Sequence, residues 1–265
     1  MKVIDVLIER LGPDLPLPSD AKDYEVASDY FLAEREVEIE DLPFWQHWCD
    51  GYNRVLEIGC GGGTLARSLR STNSVIGLDL SHSLLLRARA TDELVVRASA
   101  HSLPVRSEAF DAAILPKGLL SYALDLRQRI RIVAECARIL KPHGRIVVDV
   151  PRLDVGRDPH SQSGLWFFNR RIMLSDGHWL DVHSCTSMPS PDVVQIDSVY
   201  ERFASSGQSV ARLAVRHRHC KLSAAEVSLM LVMNGFEVTD VRHGYAVVGP
   251  SEGDRIVVVG RKVGM

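Results

Sequence analysis

The chain has 265 residues, 46% of them apolar and 25% charged, which is enough to bury a substantial α/β core and too apolar for a disordered chain. Lys and Arg total 31 against 34 Asp and Glu, a net charge of −3, so the composition lacks the basic excess that displaces counterions from nucleic acid. The five cysteines, Cys49, Cys60, Cys136, Cys185 and Cys220, never form C-x-x-C, which points to reduced thiols, a cytoplasmic setting and no bound metal; no apolar run is long enough to span a bilayer.

Residues 1–50 read as a polar helical lid. "MKVIDVLIERLG" places Val3, Val6, Leu7 and Leu11 on one helical face, stops at Gly12-Pro13, and mixes charge into every turn, unlike a signal peptide. Ser19 or Asp20 caps a second helix that runs to about Glu38 and carries Tyr24, Tyr30 and Phe31. Residues 51–150 then alternate apolar strands with helices. Strands are expected at 55–58, 75–78, 94–96, 112–115 and 145–150, and helices at 65–69, 83–90 and 126–140, which implies βαβ crossovers and a parallel sheet covered on both faces. Lys141-Pro142-His143-Gly144 is a helix stop with a basic last turn. Residues 151–222 read as an inserted cap with a small antiparallel sheet: 152–190 show no regular period, whereas 193–200 and 210–220 alternate as strands do. Residues 223–265 return to the core pattern. Ser223 and Glu226 form a capping-box pair, the helix they open ends at Asn234-Gly235, and "FEVTDVRHG" and "DRIVVVGRK" read as two strands joined by a loop around Gly249-Pro250-Ser251.

"VLEIGCGGGT", residues 55–64, carries four glycines in five positions directly after a strand. Such a turn lets a ligand approach the backbone closely, and three ligands are compatible with it. Gly59 and Gly61 begin a G-x-G-x-x-G frame that fails at Thr64, while the frame Gly61, Gly63, Ala66 satisfies G-x-G-x-x-A, so a nicotinamide dinucleotide stays open. No G-K-S/T follows, which rejects a Walker phosphate loop. Two acids narrow the choice. Asp79 ends the next strand, where a carboxylate suits two ribose hydroxyls, each bond contributing on the order of 1.5–3 kcal/mol. Glu57, two residues before Gly59, is awkward beside a pyrophosphate and favourable beside a sulfonium or ammonium.

At this point the sequence resembles the class I S-adenosylmethionine-dependent methyltransferases of the small-molecule branch. "RVLEIGCGGG" looks like the family's first motif and "VIGLDLS" its second. "ASAHSLPVRSEAFDAAILPKGLL" resembles the third and fourth, "ILKPHGRIVVDVP" the fifth-strand segment, and residues 216–263 the closing helix and hairpin. The resemblance implies a doubly wound α/β fold with a mainly parallel, Rossmann-like seven-stranded sheet, an antiparallel C-terminal hairpin, the helical lid and the inserted cap. It implies S-adenosylmethionine as cofactor, with Gly59, Cys60 and Gly61 of the turn and Glu57 around it, Asp79 on the ribose, and Leu80 packed on the adenine. Ser99 stands where the family often has aspartate, and Ser99 with the backbone of Ala100 or His101 would serve the adenine edge. Leu115-Pro116-Lys117 would line the methyl-donor end, with a lysine unusual there.

Methyl transfer needs no general acid, because the leaving group departs as a neutral thioether, and holding donor and nucleophile together supplies most of the rate. A base matters only for a protonated acceptor, and His160, His178, His183, His217, His219 and Tyr245 are candidates. Tyr30, Lys117, Trp166, Arg218 and Tyr245 are the candidate acceptor contacts, with Arg216 on the strand face of Arg218; core packing is the bland expectation for Trp166, Phe167, Phe168 and Trp179. The expected partner is a small organic acceptor methylated at N, O or C, in bacterial secondary metabolism by the resemblance, without nucleic acid or membrane, as monomer or homodimer. The rivals are a nicotinamide-dependent oxidoreductase and a protein that uses S-adenosylmethionine for other chemistry or only binds it.

Overall fold

The computed structural model describes residues 28, 30, 41–70, 73–91, 94–153, 164–247 and 253–264. The expected helices at 3–11 and 19–38, His160 and the 249–251 loop lie outside these residues, except for Ser28 and Tyr30, which are helical. The chain divides into two compact units, one within Glu40–Arg152 and Leu222–Met265, the other within Leu17–Ile39 and Leu153–Lys221.

In the first unit the elements run α1 (Leu42–Cys49), β1 (Arg54–Ile58), α2 (Thr64–Leu69), β2 (Ser74–Asp79), α3 (His82–Ala90), β3 (Val95–Arg97), β4 (Phe110–Leu115), α4 (Leu119–Tyr122), α5 (Leu126–Ile139) and β5 (Leu140–Pro151). The second unit contributes β6 (Trp166–Met173), β7 (Trp179–Ser190), β8 (Val193–Phe203) and β9 (Ser209–Cys220), after which the first resumes with α6 (Ala224–Met233), β10 (Phe236–His243) and β11 (Arg255–Lys262). The seven strands of the first unit are ordered β10-β11-β5-β4-β1-β2-β3. Strands β1 to β5 are parallel, and β11 runs antiparallel to both β5 and β10. This is the doubly wound fold that the apolar strand runs predict. The chain reverses its strand order between β1 and β4, and crevices for ligands form at such a reversal, outside the carboxyl ends of the strands.

Local chemistry accounts for most boundaries. Val55, Leu56 and Ile58 of β1 and Ala112 to Leu115 of β4 are buried, as strands covered on both faces require. Helix α5 turns Ile132, Val133, Cys136 and Ile139 inward, and Asp125 caps it by accepting the Arg127 N–H at 2.7 Å. It stops at Ile139, as the Lys-Pro-His-Gly signal requires, yet residues 141–144 belong to β5 instead of a connecting loop. A break in the β4–β5 register between Phe110 and Ala112 absorbs them, His143 takes φ 65°, and Lys141 pairs with Asp111 at 2.5 Å. A side chain at Gly144 would put Cβ 2.9 Å from the Lys141 carbonyl, so this bulge requires glycine.

The second unit is a four-stranded antiparallel sheet in the order β6-β7-β8-β9. Its core is Ile172, Leu180, Val182, Tyr200 and Val215, joined by Tyr30, whose ring stacks on Tyr200 at 5.5 Å. Strands β6 and β7 escape a period-2 reading because the burial is inverted at several positions. Asp181 is buried and held in a two-bond pair with Arg171 at 2.6 and 2.7 Å, whereas Trp166 and Phe168 are 54% and 53% exposed. Those two aromatics are therefore not core, contrary to the bland expectation; Trp179 stacks on Phe203 at 5.5 Å and Phe167 is half-buried.

Helix α6 carries the reciprocal cap that its sequence predicts: the Ser223 hydroxyl accepts the Glu226 N–H at 3.2 Å and the Glu226 carboxylate accepts the Ser223 N–H at 2.8 Å. Ser223→Ala removes half of this pair and is expected to lower the unfolding free energy by about 1 kcal/mol in urea titrations.

Candidate functional site

Strand β1 ends in a turn whose Gly59, Gly61 and Gly63 adopt φ of 80°, 54° and 76°, the left-handed conformation that glycine takes without steric penalty. The N–H groups of this turn point back into the protein. Gly59 and Cys60 both donate to the Leu78 carbonyl, at 2.7 and 3.0 Å, and Gly63 donates to the Cys60 carbonyl at 2.9 Å. Gly61 donates to Asp79 Oδ2 at 2.7 Å, and the other Asp79 oxygen takes the Ser81 N–H at 2.9 Å. Phosphate loops work by aiming successive N–H groups at the ligand, and four of these are already spent. The Asp79 carboxylate, in contrast, is locked in place by one backbone N–H on each oxygen.

Glu57 sits in β1 beside this turn, 2% exposed, with Gly77 and Ile114 as its neighbours in register. Burial, and next the charge of Glu57, push the Cys49 thiol up to about 12. Cys60 faces the sheet: a Cβ on Gly77 would lie 2.7 Å from its Sγ, so Cys60 offers a ligand its backbone only. A ligand held here meets two carboxylates, and residues 59–64 carry no cation. That environment fits a cationic sulfonium with ribose hydroxyls and opposes a pyrophosphate.

Around the next two strand ends the adenine-side residues fall into place as a group. The Leu80 carbonyl accepts Arg97 Nε at 3.1 Å. Ser99 Oγ lies 3.1 Å from His101 Nδ1 and accepts the His101 N–H at 3.3 Å, a closed turn with Ala100 between them. Arg131 holds the His101 carbonyl at 2.8 Å. Burial, and next the Arg131 charge, lower the His101 pKa, so the ring is neutral at pH 7.

At the methyl-donor end of the resemblance, Pro116 is buried and Lys117 departs from both sequence-based readings, solvated loop lysine or acceptor contact. Its ammonium pairs with Asp41 Oδ2 at 3.0 Å, an oxygen that also accepts Trp45 Nε1 at 2.8 Å, and lies 5.6 Å over the Tyr245 ring. Its backbone has φ 55° and Gly118 follows at 82°. A left-handed lysine costs about 1–2 kcal/mol, and the turn is held by Asp149, which accepts the Lys117 N–H at 2.8 Å and, through its carbonyl, the Gly118 N–H at 3.0 Å. Asp149 is fully buried and also accepts Arg255 Nε and Nη2 at 2.8 and 2.7 Å and the Tyr245 hydroxyl at 2.8 Å. Asp149, Arg255 and Asp41 are absent from the sequence-based candidates. The available signal was a lone acid at the end of an apolar strand, "RIVVDVP", the same signal that singled out Glu57.

The remaining candidates belong to the second unit. Tyr30 belongs to its core, Trp166 is exposed on the edge strand β6, and Arg218 Nε donates to Gln195 at 3.1 Å. Arg216 pairs with Asp197 at 2.6 Å. His217 and His219 are buried on β9, His178 accepts Arg202 Nε at 3.1 Å, and His183 meets Phe168 edge-on at 5.4 Å.

Tyr245 does not fit the role of base. Burial first, then the Asp149 charge, raise its pKa, while Arg255 opposes this. For Arg255, burial pulls the pKa down and the Asp149 charge and hydrogen bonds more than offset it, so the guanidinium stays charged. The unfolded chain releases the phenol proton near pH 10, before the folded chain does. The stability linked to Tyr245 is therefore fully present below about pH 10 and is lost as pH rises further. Unfolding free energies measured between pH 9 and 11 are expected to fall less steeply in Tyr245→Phe than in the wild type.

Comparison with known proteins agrees with this geometry. Residues 56–148 match the family model described as a methyltransferase domain. The demethylmenaquinone methyltransferase of Thermotoga maritima is 33% identical over 100 residues, 36% of this chain and 42% of that one. The probable tRNA methyltransferase 9B of Mus musculus is 30% identical over 135 residues, 49% of this chain and 30% of its own length. The chain thus spans less than half the length of these curated relatives. The sugar N-methyltransferase KedS8 of Streptoalloteichus sp ATCC 53650 shares the fold, with a TM-score of 0.71 at 20% identity, over 100% of this chain and 99% of that one. The shifted dinucleotide frame is set aside with these matches and with the spent N–H groups of the turn. Residues 56–148 thus match a methyltransferase domain, and the chain as a whole has the fold of a solved sugar N-methyltransferase.

Proposed function

We propose that the protein transfers a methyl group from S-adenosylmethionine to a small organic acceptor at N, O or C, and that an amino sugar is the first acceptor class to test. The observation that carries the reading is the acidic glycine turn, with Glu57 buried beside it, Asp79 fixed by two backbone N–H groups and four turn N–H groups satisfied within the protein. The acceptor class is supported by the likeness to a sugar N-methyltransferase, which extends over the whole chain, the four-stranded unit included, whereas the likeness to a tRNA methyltransferase covers half of it. The net charge of −3 agrees with a small acceptor over a polyanion.

In this reading Asp79 holds the ribose hydroxyls, Leu80 and the Ser99–His101 turn hold the adenine, and Glu57 stands against the cationic end with the backbone of Gly59, Cys60 and Gly61. S-adenosylmethionine supplies, when bound, a methyl group activated by positive sulfur. Pro116 and the turn after it close the donor end and exclude water, so that the acceptor is held at near-attack distance. Asp149 is neutralised by Arg255 and Asp41 by Lys117, and burial beside Asp149 raises the Tyr245 pKa, so an acceptor amine would enter as the free base. The five cysteines, all free and buried, fit the reduced cytoplasmic setting proposed with this function.

Calorimetry with S-adenosylhomocysteine and with NADH tests the cofactor. Binding of the first alone is expected, and Asp79→Ala should weaken it by tenfold or more, about 1.4 kcal/mol, while Cys60→Ala leaves it unchanged. Product analysis with amino sugars, quinols and tRNA in parallel identifies the acceptor. Methylation of tRNA alone, or release of methylthioadenosine without any acceptor, would refute small-molecule methyl transfer.

A further inference from the structure

We propose that Lys117 is the residue that receives the carboxylate at the amino-acid end of the cofactor, an assignment that rests on the S-adenosylmethionine reading above. It starts from position. The turn that follows β4 is packed against the first glycine of the cofactor turn, since a Cβ on Gly59 would lie 3.0 Å from Leu119 Cδ1. Lys117 is held in this turn in a conformation that a lysine rarely adopts, φ 55°, when glycine would take it without strain. Strain of this kind persists where the surroundings over-determine the backbone, and it concentrates at ligand sites.

The donor count on the two turns points the same way. Gly59, Cys60, Gly61 and Gly63 give their N–H groups to Leu78, Asp79 and Cys60. Lys117 and Gly118 give theirs to Asp149, and Leu119 gives its own to Pro116 at 3.4 Å. A carboxylate placed between these turns cannot rely on these seven backbone donors. Within residues 59–64 and 116–119 the sequence contains one cation, Lys117.

Charge order completes the argument. Asp41, 8% exposed, and the Tyr245 ring fix the ammonium from one side, while the Lys117 side chain remains 23% exposed. A ligand with a carboxylate and an ammonium on one carbon, set between Lys117 and Glu57, extends an alternating series: Asp41 negative, Lys117 positive, ligand carboxylate negative, ligand ammonium positive, Glu57 negative. Each neighbour in that series is of opposite sign, an arrangement that strengthens as water is excluded. Arg255, the other cation near this turn, already gives its Nε and Nη2 to Asp149.

The test is calorimetry with S-adenosylhomocysteine and with its decarboxylated analogue, which keeps the adenosine, thioether and amine. Wild type is expected to prefer S-adenosylhomocysteine by about tenfold or more. Lys117→Gln should weaken S-adenosylhomocysteine by that factor, leave the analogue at wild-type affinity and so erase the preference. Lys117→Arg should retain it. Lys117→Gly, which relieves the left-handed strain but strands Asp41, should bind the analogue at wild-type affinity and yet lose the preference, which separates the charge from the fold of the turn. Equal weakening of both ligands in Lys117→Gln and Lys117→Gly, or an undiminished preference in either, overturns the assignment. Equal wild-type affinity for the two ligands also overturns it while leaving the cofactor reading intact, whereas wild type that binds neither ligand overturns the cofactor reading itself.

Discussion

Asp149 is the interaction on which the turn after β4 depends. A carboxylate with no exposure at the end of β5 is tolerated only if it is fully bonded, and here it gathers Arg255 from β11, Tyr245 from the segment after β10 and the Lys117 N–H from the turn after β4. One buried charge therefore ties together three pieces of chain that lie up to 138 residues apart in sequence. A buried ion pair of this kind adds little net stability over a well-packed apolar cluster, but removing one partner strands the other in a low-dielectric interior. Its effect is geometric: the strained Lys117-Gly118 turn has one position, set by Asp149 from below and by Asp41 through the Lys117 ammonium.

The charges of the site divide into two kinds. Those around the turn after β4 are neutralised in pairs, Asp149 with Arg255 and Asp41 with Lys117, and burial with the Asp149 charge raises the pKa of the Tyr245 phenol beside them. At the cofactor end Glu57 and Asp79 stand beside a turn without a cation, Asp79 anchored by backbone N–H groups that stabilise its charge without cancelling it. The glycine turn thus has two carboxylates beside it and no cation within residues 59–64, whereas the acids around the turn after β4 are paired with cations. Such a division suits a reaction in which a cation gives up its methyl group and no acid is required.

The second unit follows different rules from the first. Its core is small and aromatic-aliphatic, and two of its buried polar groups pair across strands, Asp181 with Arg171 and Ser184 with Ser198 at 3.2 Å. Its edge strand β6 presents Trp166, Phe168 and Met173 to solvent, with Met173 67% exposed. In this unit polarity does not track burial, which is why β8 and β9 are readable from alternation and β6 and β7 are not.

The sequence by itself determined the parallel strands of the first unit and the glycine turn with its two acids, and the family resemblance supplied the cofactor. Those features rest on local rules: apolar strands covered on both faces, glycines where φ must be positive, an N-cap at Ser223, and acids at the ends of two successive strands. Strand boundaries that depend on a partner, such as the extension of β5 through residues 141–144, needed the register of β4 to be seen. Only the tertiary structure decided what Lys117, Tyr245, Trp166 and Phe168 do. The first two were read one residue at a time, Lys117 as a loop lysine or an acceptor contact and Tyr245 as a base or an acceptor contact, and the pairing of Lys117 with Asp41 and of Tyr245 with Asp149 crosses 76 and 96 residues of chain. The physical reason is that propensity, capping and periodicity act within a few residues, whereas the charge state and contacts of a buried side chain are fixed by whichever distant groups the fold delivers to it.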